Sequence, residues 1–142
     1  MAFDLKLLNG DLSLDSVGRM ELVRDSNKLV QEVLKLISTT LNSDPFNPNY
    51  GLTLTASSLG HITTANITAQ RLESEIRFGL QSLQQEQLTL SRQQVLTSAE
   101  RIKNIDSVIV EQDASDPRQY NIFIELTTQA QTPITVNTAI RA

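Results

Sequence analysis

The spacing of apolar residues along this chain changes twice, and each change marks a new group of elements. In residues 3–23, Leu12 and Leu14 alternate with polar neighbours. "NGDL" at 9–12 is an Asn-Gly turn signal, "DSVGR" turns the chain again, and "MELV" at 20–23 is a second short run. This predicts an N-terminal hairpin or arm. The spacing then becomes helical. Leu29, Val30, Val33, Leu34, Ile37 and Leu41 predict a helix from about Asn27 to Leu41, with Gln31 beside the stripe and Ser26 or Asp25 as its cap. Ile67, Leu72, Ile76, Leu80 and Leu83 predict a second helix from about Thr64 to Gln84, capped by "TTAN". Val95, Leu96 and Ala99, facing inward, predict a third over roughly Ser91 to Arg101.

Beyond the third helix the period is two. "SVIVEQ" at 107–112, "YNIFIELTT" at 120–128 and "TPITVNTAI" at 132–140 predict three strands, the first two joined by the turn "DASDPRQ". Pro133 cannot donate to a ladder, which suits an edge strand. The expected fold class is α+β: an N-terminal β-hairpin, about three helices and a C-terminal antiparallel β-meander, in one domain spanning residues 1–142.

Composition narrows the function more than it names it. The chain carries 12 basic and 16 acidic residues in 142, and no Lys/Arg cluster, so duplex nucleic acid is not an expected partner. No apolar run approaches the roughly 20 residues of a membrane span. "MAFDLKLLNG" lacks the pattern of a secretory leader. With no cysteine there is no disulfide, thiolate metal site or Cys nucleophile. His61 is the only histidine, and "LGHITT" is not a nucleophile elbow. No glycine-rich phosphate loop occurs.

Carboxylates were weighed because glycoside hydrolysis needs only two. Glu73 and Glu75 lie two apart on a helix and point to different sides. Asp113 and Asp116 flank a turn, the distance between Glu32 and Asp44 is not set by sequence, and no acid sits in an obviously apolar context. Glu100-Arg101, in "SAERIKNID", falls where the third helix meets the first C-terminal strand. It reads either as a solvated pair or as a fixed charged contact for a neighbouring chain.

The stretch "LNSDPFNPNYGLTL" at 41–54 stands apart. Pro45 and Pro48 stiffen it, Gly51 opens a backbone angle closed to other residues, and Phe46 and Tyr50 spend two of only six aromatics there. The loop is either a lid on the core or a preorganised knob for a neighbour, or both, with Tyr50 inward and Phe46 outward. The C-terminal stretch "IELTTQAQTPITVNTAI" has one acid, no Lys and only Pro133 to blunt an edge. Such an edge either accepts a strand or is covered by the N-terminal hairpin.

The run "GRMELVRDSNKLVQEVLKLISTTLNSDPFNPNYGLTL" resembles the sheath-initiator, or lysozyme-like baseplate wedge, family of contractile phage tails and related injection systems. The matching features are Gly18, the strand "MELV", Gln31, "STTLNSDP" and Tyr50-Gly51; the later helices and meander follow in the family's order. The family's Glu-Pro-Arg before the last strands is here Ala99-Glu100-Arg101-Ile102, without the Pro, and "NSD" stands for its Gly-Glu-Arg. The family's lysozyme-like name implies an activity, but the residues offer no catalytic pair for it, so the expectation is a structural, non-enzymatic protein without cofactor. The resemblance implies about six copies in the virion tail baseplate, and the host cytoplasm during assembly. Its partners would be baseplate wedge proteins and the tail sheath protein, with the tail tube or hub as a further contact.

On this reading Pro45, Phe46, Pro48, Tyr50, Glu100 and Arg101 would meet the wedge. Ile122, Ile124, Ile134 and Val136 would set the register of an added sheath strand. The alternatives are a peptidoglycan-cleaving muramidase and a tail-completion or adaptor protein.

Overall fold

The computed structural model describes residues 3–53 and 65–141, and for residues 65–67 the backbone alone. His61 and Thr64, on which sequence expectations rest, lie outside the described residues. Among those described, two α-helices and one 3-10 turn pack with a three-stranded sheet, and a small arm precedes them.

The arm is built from four two-residue strands: β1 (Asp4–Leu5), β2 (Leu7–Leu8), β3 (Asp11–Leu12) and β4 (Leu22–Val23). β1 pairs with β4 and β2 with β3, and Leu14 bridges Met20. Asn9 and Gly10 both take positive φ, as a tight two-residue hairpin turn demands. Three backbone bonds close a ring at the centre. Lys6 donates to Glu21, Glu21 to Ser13 and Ser13 to Lys6, at 2.9–3.0 Å. The Glu21 carboxylate also takes the Lys6 ammonium at 3.0 Å and the Ser13 hydroxyl.

Each of the three segments places a polar residue between two apolar ones: Leu5-Lys6-Leu7, Leu12-Ser13-Leu14 and Met20-Glu21-Leu22. The polar residues are half-buried, whereas all six apolar neighbours are exposed. The usual inside-out order is inverted here.

α1 (Asp25–Ser38) buries Leu29, Val33, Leu36 and Ile37. It ends three residues before the expected Leu41. Hydroxyls take over its last carbonyls: Ser38 Oγ donates to Leu34 O at 2.8 Å and Thr39 Oγ1 to Lys35 O at 2.6 Å. The predicted cap is absent; Arg24 holds the N-cap position with no side-chain cap bond, and Asp25, at φ 53°, accepts the Thr97 hydroxyl instead.

α2 (Ala65–Leu90) runs six residues past the expected end. Leu72, Ile76, Leu80 and Leu83 face the core. It continues because Gln84 and Gln87, read as polar surface in the sequence, have backbone partners below them. The predicted third helix does not form. Residues 91–94 turn, and only Ser98–Glu100 winds a 3-10 turn. Val95, expected inward, is 73% exposed. The turn is closed by a capping box in which Thr97 N–H donates to Glu100 Oε2 at 2.9 Å.

β5 (Ile102–Gln112), β6 (Gln119–Thr128) and β7 (Pro133–Arg141) form an antiparallel meander in the order β5-β6-β7. β5 starts five residues before expectation because two bulges, at 102–104 and 105–107, hide the period-two pattern. Val108, Val110, Tyr120, Ile122, Ile124, Leu126, Ile134 and Val136 line the inner face and share one core with both helices. α2 lies along β5 and α1 reaches β7.

Two buried glutamines hold extended backbone to the helices in the same way. Gln31 accepts Leu7 N–H at 2.8 Å and donates to Leu5 O at 2.7 Å. Gln87 accepts Ile102 N–H at 2.9 Å and donates to Glu100 O at 3.0 Å. In both cases the amide engages the carbonyl of one residue and the N–H two residues on, as a neighbouring strand would. Helix side chains thus replace missing sheet partners.

Candidate functional site

The 41–52 loop is closed at its neck. Leu52 N–H donates to Thr39 O at 2.9 Å and Leu41 N–H to Leu52 O at 3.0 Å. Gly51 sits at φ 110°, and a Cβ there would lie 2.6 Å from Thr39 O, so no side chain fits without moving backbone. Leu52 enters the core through a notch at Gly79, whose missing Cβ would be 2.4 Å from Leu52 Cδ2. The tip is shaped by Asp44, which accepts the Phe46 N–H at 2.9 Å.

Phe46 is 97% exposed and Pro45 and Pro48 are exposed beside it, while Tyr50 packs against the core. The Tyr50 hydroxyl is pushed up to about 12 by burial and by the charges of Glu32, Glu86 and Asp4.

Glu100, read from sequence either as half of a solvated pair or as a charged contact for a neighbouring chain, is 1% exposed. Its Oε1 and the Nε of Arg101 are buried with no hydrogen-bond partner among the described residues. A cleft of about 560 Å³ joins this corner to the loop, lined by Lys28, Glu32, Asp44, Tyr50, Glu86 and Glu100 among others. Thus the fold brings Tyr50 and Glu100 to one cleft. The reading of the acids missed Glu86, whose carboxyl is raised by burial and by Glu32. Its signal was its place on the extension of α2, which the expected helix end cut off. Among the described residues no group of three His, Asp or Glu could hold a metal ion, and no helix is long and apolar enough to cross a membrane.

The four residues expected to guide an added strand do not present side chains to a partner. Ile122, Ile124, Ile134 and Val136 are all core. Ile122 and Ile124 also belong to the central strand, whose two edges are both paired, so no strand can add there. Period two places one face of each strand inward, and burial took the Ile/Val face.

The sheet's two edges differ. Thr128 N–H bonds Thr132 O, and alternation along an antiparallel ladder then turns Ile134, Val136 and Thr138 toward β6. Thr135, Asn137 and Ala139 turn their backbone groups to the free edge, as does Pro133, which has no N–H to offer. Among the described residues no side chain bonds this edge and no fourth strand pairs with it; the N-terminal strands form their own sheets. On β5, by contrast, Glu73 takes the outward Val110 N–H at 3.1 Å. Gln87 takes Ile102 N–H, and Gln84 donates to Lys103 O at 2.9 Å. α2 closes that edge.

The class is therefore a two-layer α+β fold with a three-stranded meander, one edge of which is unpaired among the described residues. No family model matches the chain, and no curated protein matches it. Among solved structures it is similar to the 1.44 Å crystal structure of a protein from Geobacter sulfurreducens described as a candidate tail lysozyme. The two are 16% identical with a TM-score of 0.56, over 80% of this chain and 86% of that one. The likeness is one of fold.

Proposed function

We propose that this chain is a structural component of a contractile phage tail, sited at the baseplate, where it joins wedge proteins to the first ring of sheath subunits. The observation that carries the reading is the asymmetry of the sheet. α2 spends three side chains closing β5, while among the described residues the β7 edge carries no comparable cover, and an uncovered edge is a template for another chain. Two further features support it: the exposed Phe46 on a stiffened loop, and the nine large apolar side chains exposed between Phe3 and Leu22. Clustered exposed apolar residues mark surfaces meant to be covered. The likeness to a tail protein agrees with the setting.

The test is pull-down from assembling particles with Asn137→Pro, which removes an edge N–H but no bond to β6, against Asn137→Ala. Loss of sheath protein with Pro alone, wedge proteins being retained, is the expected outcome. Equal recovery of sheath with both variants would refute strand addition at β7.

A second reading, peptidoglycan cleavage, is favoured by one observation: a carboxyl raised above its usual range, Glu86, shares an open cleft with Glu32. Clearing of purified peptidoglycan by the chain, abolished in Glu86→Gln, would establish it.

A further inference from the structure

A groove of about 590 Å³ runs between α2 and the inner side of the 41–52 loop. Its loop wall offers Leu41, Tyr50 and Leu52, edged by the polar Asn47, Asn49 and Thr53. Its α2 wall presents Glu75, Gly79, Ser82, Glu86 and Thr89. These positions step by four, three, four and three, the 3.5-residue period with which one helix receives another. Leu52 fills the notch at Gly79 and forms the floor there, and the small, exposed Ser82 beside it leaves room for a second helix. Phe78 stands at the rim, 71% exposed.

The charge is one-sided. No Lys or Arg lines the groove. Glu75 Oε2 is buried without a hydrogen-bond partner among the described residues, its other oxygen lying 3.7 Å from Arg71 Nε. Glu86 is raised by burial and by Glu32. The two acids are eleven residues apart, about 16 Å along the helix axis. Among the described residues Glu75 meets one base, Arg71, and Glu86 forms no ion pair.

We infer that this groove docks an amphipathic helix of a neighbouring protein, whose apolar stripe fills the seam and whose Lys or Arg residues reach Glu75 and Glu86. A second copy is disfavoured, because α2 packed on its own mate about a two-fold axis would bring these acids to a seam that holds no base. The inference rests on reading the loop as part of a docking surface. It does not depend on the β7 edge.

The probe is a fluorescein-labelled 18-residue Leu/Lys peptide with Leu at heptad spacing, titrated with the full chain by anisotropy. Two control peptides carry Glu in place of Lys, or the same Leu/Lys composition scrambled. The patterned Leu/Lys peptide should bind, with both controls at least tenfold weaker. Glu75→Gln and Glu86→Gln should each weaken it by about tenfold, the order expected for a charged hydrogen bond. Ser82→Trp, at an exposed position, should abolish binding with the circular dichroism spectrum unchanged.

Equal binding of the scrambled peptide would reduce the effect to net charge and overturn the proposal. So would equal binding of the Glu peptide, no binding at all, or indifference to Ser82→Trp. A concentration-dependent doubling of mass that Ser82→Trp removes would assign the groove to a second copy instead. The β7 experiment uses a different surface, so either can fail alone.

Discussion

Replacing Gln87 by Leu isolates what the helix-borne amide contributes. The side chain is buried, and its volume is nearly kept, so packing changes little. The Ile102 N–H and the Glu100 carbonyl both lose their partner at a place that water does not reach freely. Each orphaned buried group costs about 1–3 kcal/mol, and the greater apolarity of Leu returns about 1 kcal/mol. The net loss should be about 1–5 kcal/mol, out of roughly 7–14 kcal/mol for a chain of this size. At about 3 °C per kcal/mol the midpoint should fall by about 3–15 °C.

Urea unfolding followed by circular dichroism measures this, with an unchanged denaturant slope showing that the unfolded state has not shifted. Gln31→Leu is the internal comparison. The same two-point contact is broken there on an arm whose edges water can reach, and the loss should stay below about 1.5 kcal/mol. A Gln87→Leu loss under about 1 kcal/mol, or one equal to that of Gln31→Leu, would refute the claim that buried ladder replacement anchors β5.

Three other outcomes are expected. Gly51→Ala should destabilise by about 2–3 kcal/mol in the same assay, since the φ of 110° is closed to alanine and its Cβ would meet Thr39 O. Tyr50 keeps its proton in the folded chain to about pH 12, whereas an unfolded tyrosine loses it near 10. Stability associated with it is therefore whole below about pH 10 and declines from there to about 12, and Tyr50→Phe should flatten that decline in unfolding curves taken across the range. Phe46→Ser should leave the melting temperature within about 1 °C, because the ring touches almost nothing, while lowering recovery of wedge proteins from assembling particles.

The periods of the chain revealed the arm, both helices and the three strands, because those segments are amphipathic over enough residues to average out exceptions. The misses have particular causes. α2 was cut short since Gln84 and Gln87 look like solvent-facing polar residues, and only the fold shows β5 backbone beneath them. The third helix was inferred from Val95, Leu96 and Ala99, three residues whose spacing a 3-10 turn and an extended lead also satisfy. β5 was clipped by bulges, which break alternation without changing composition. For the docking residues, the stiffness of the 41–52 loop was readable from Pro45, Pro48 and Gly51. The burial of Glu100 was not, because a capping box and an ordinary surface Glu share one letter. Sequence also favoured Ile122 and Ile124 as partner contacts for the same apolarity that drew them into the core.

The neck between Thr40 and Leu52 has a consequence for how such a protein can change. Since both ends of the loop are bound to each other and Leu52 is keyed into Gly79, residues 42–49 form an exchangeable cassette. A substitute of twice the length would add only about 0.6 kcal/mol of closure entropy. The tip can therefore be rewritten while the scaffold beneath is almost unaffected by the revision.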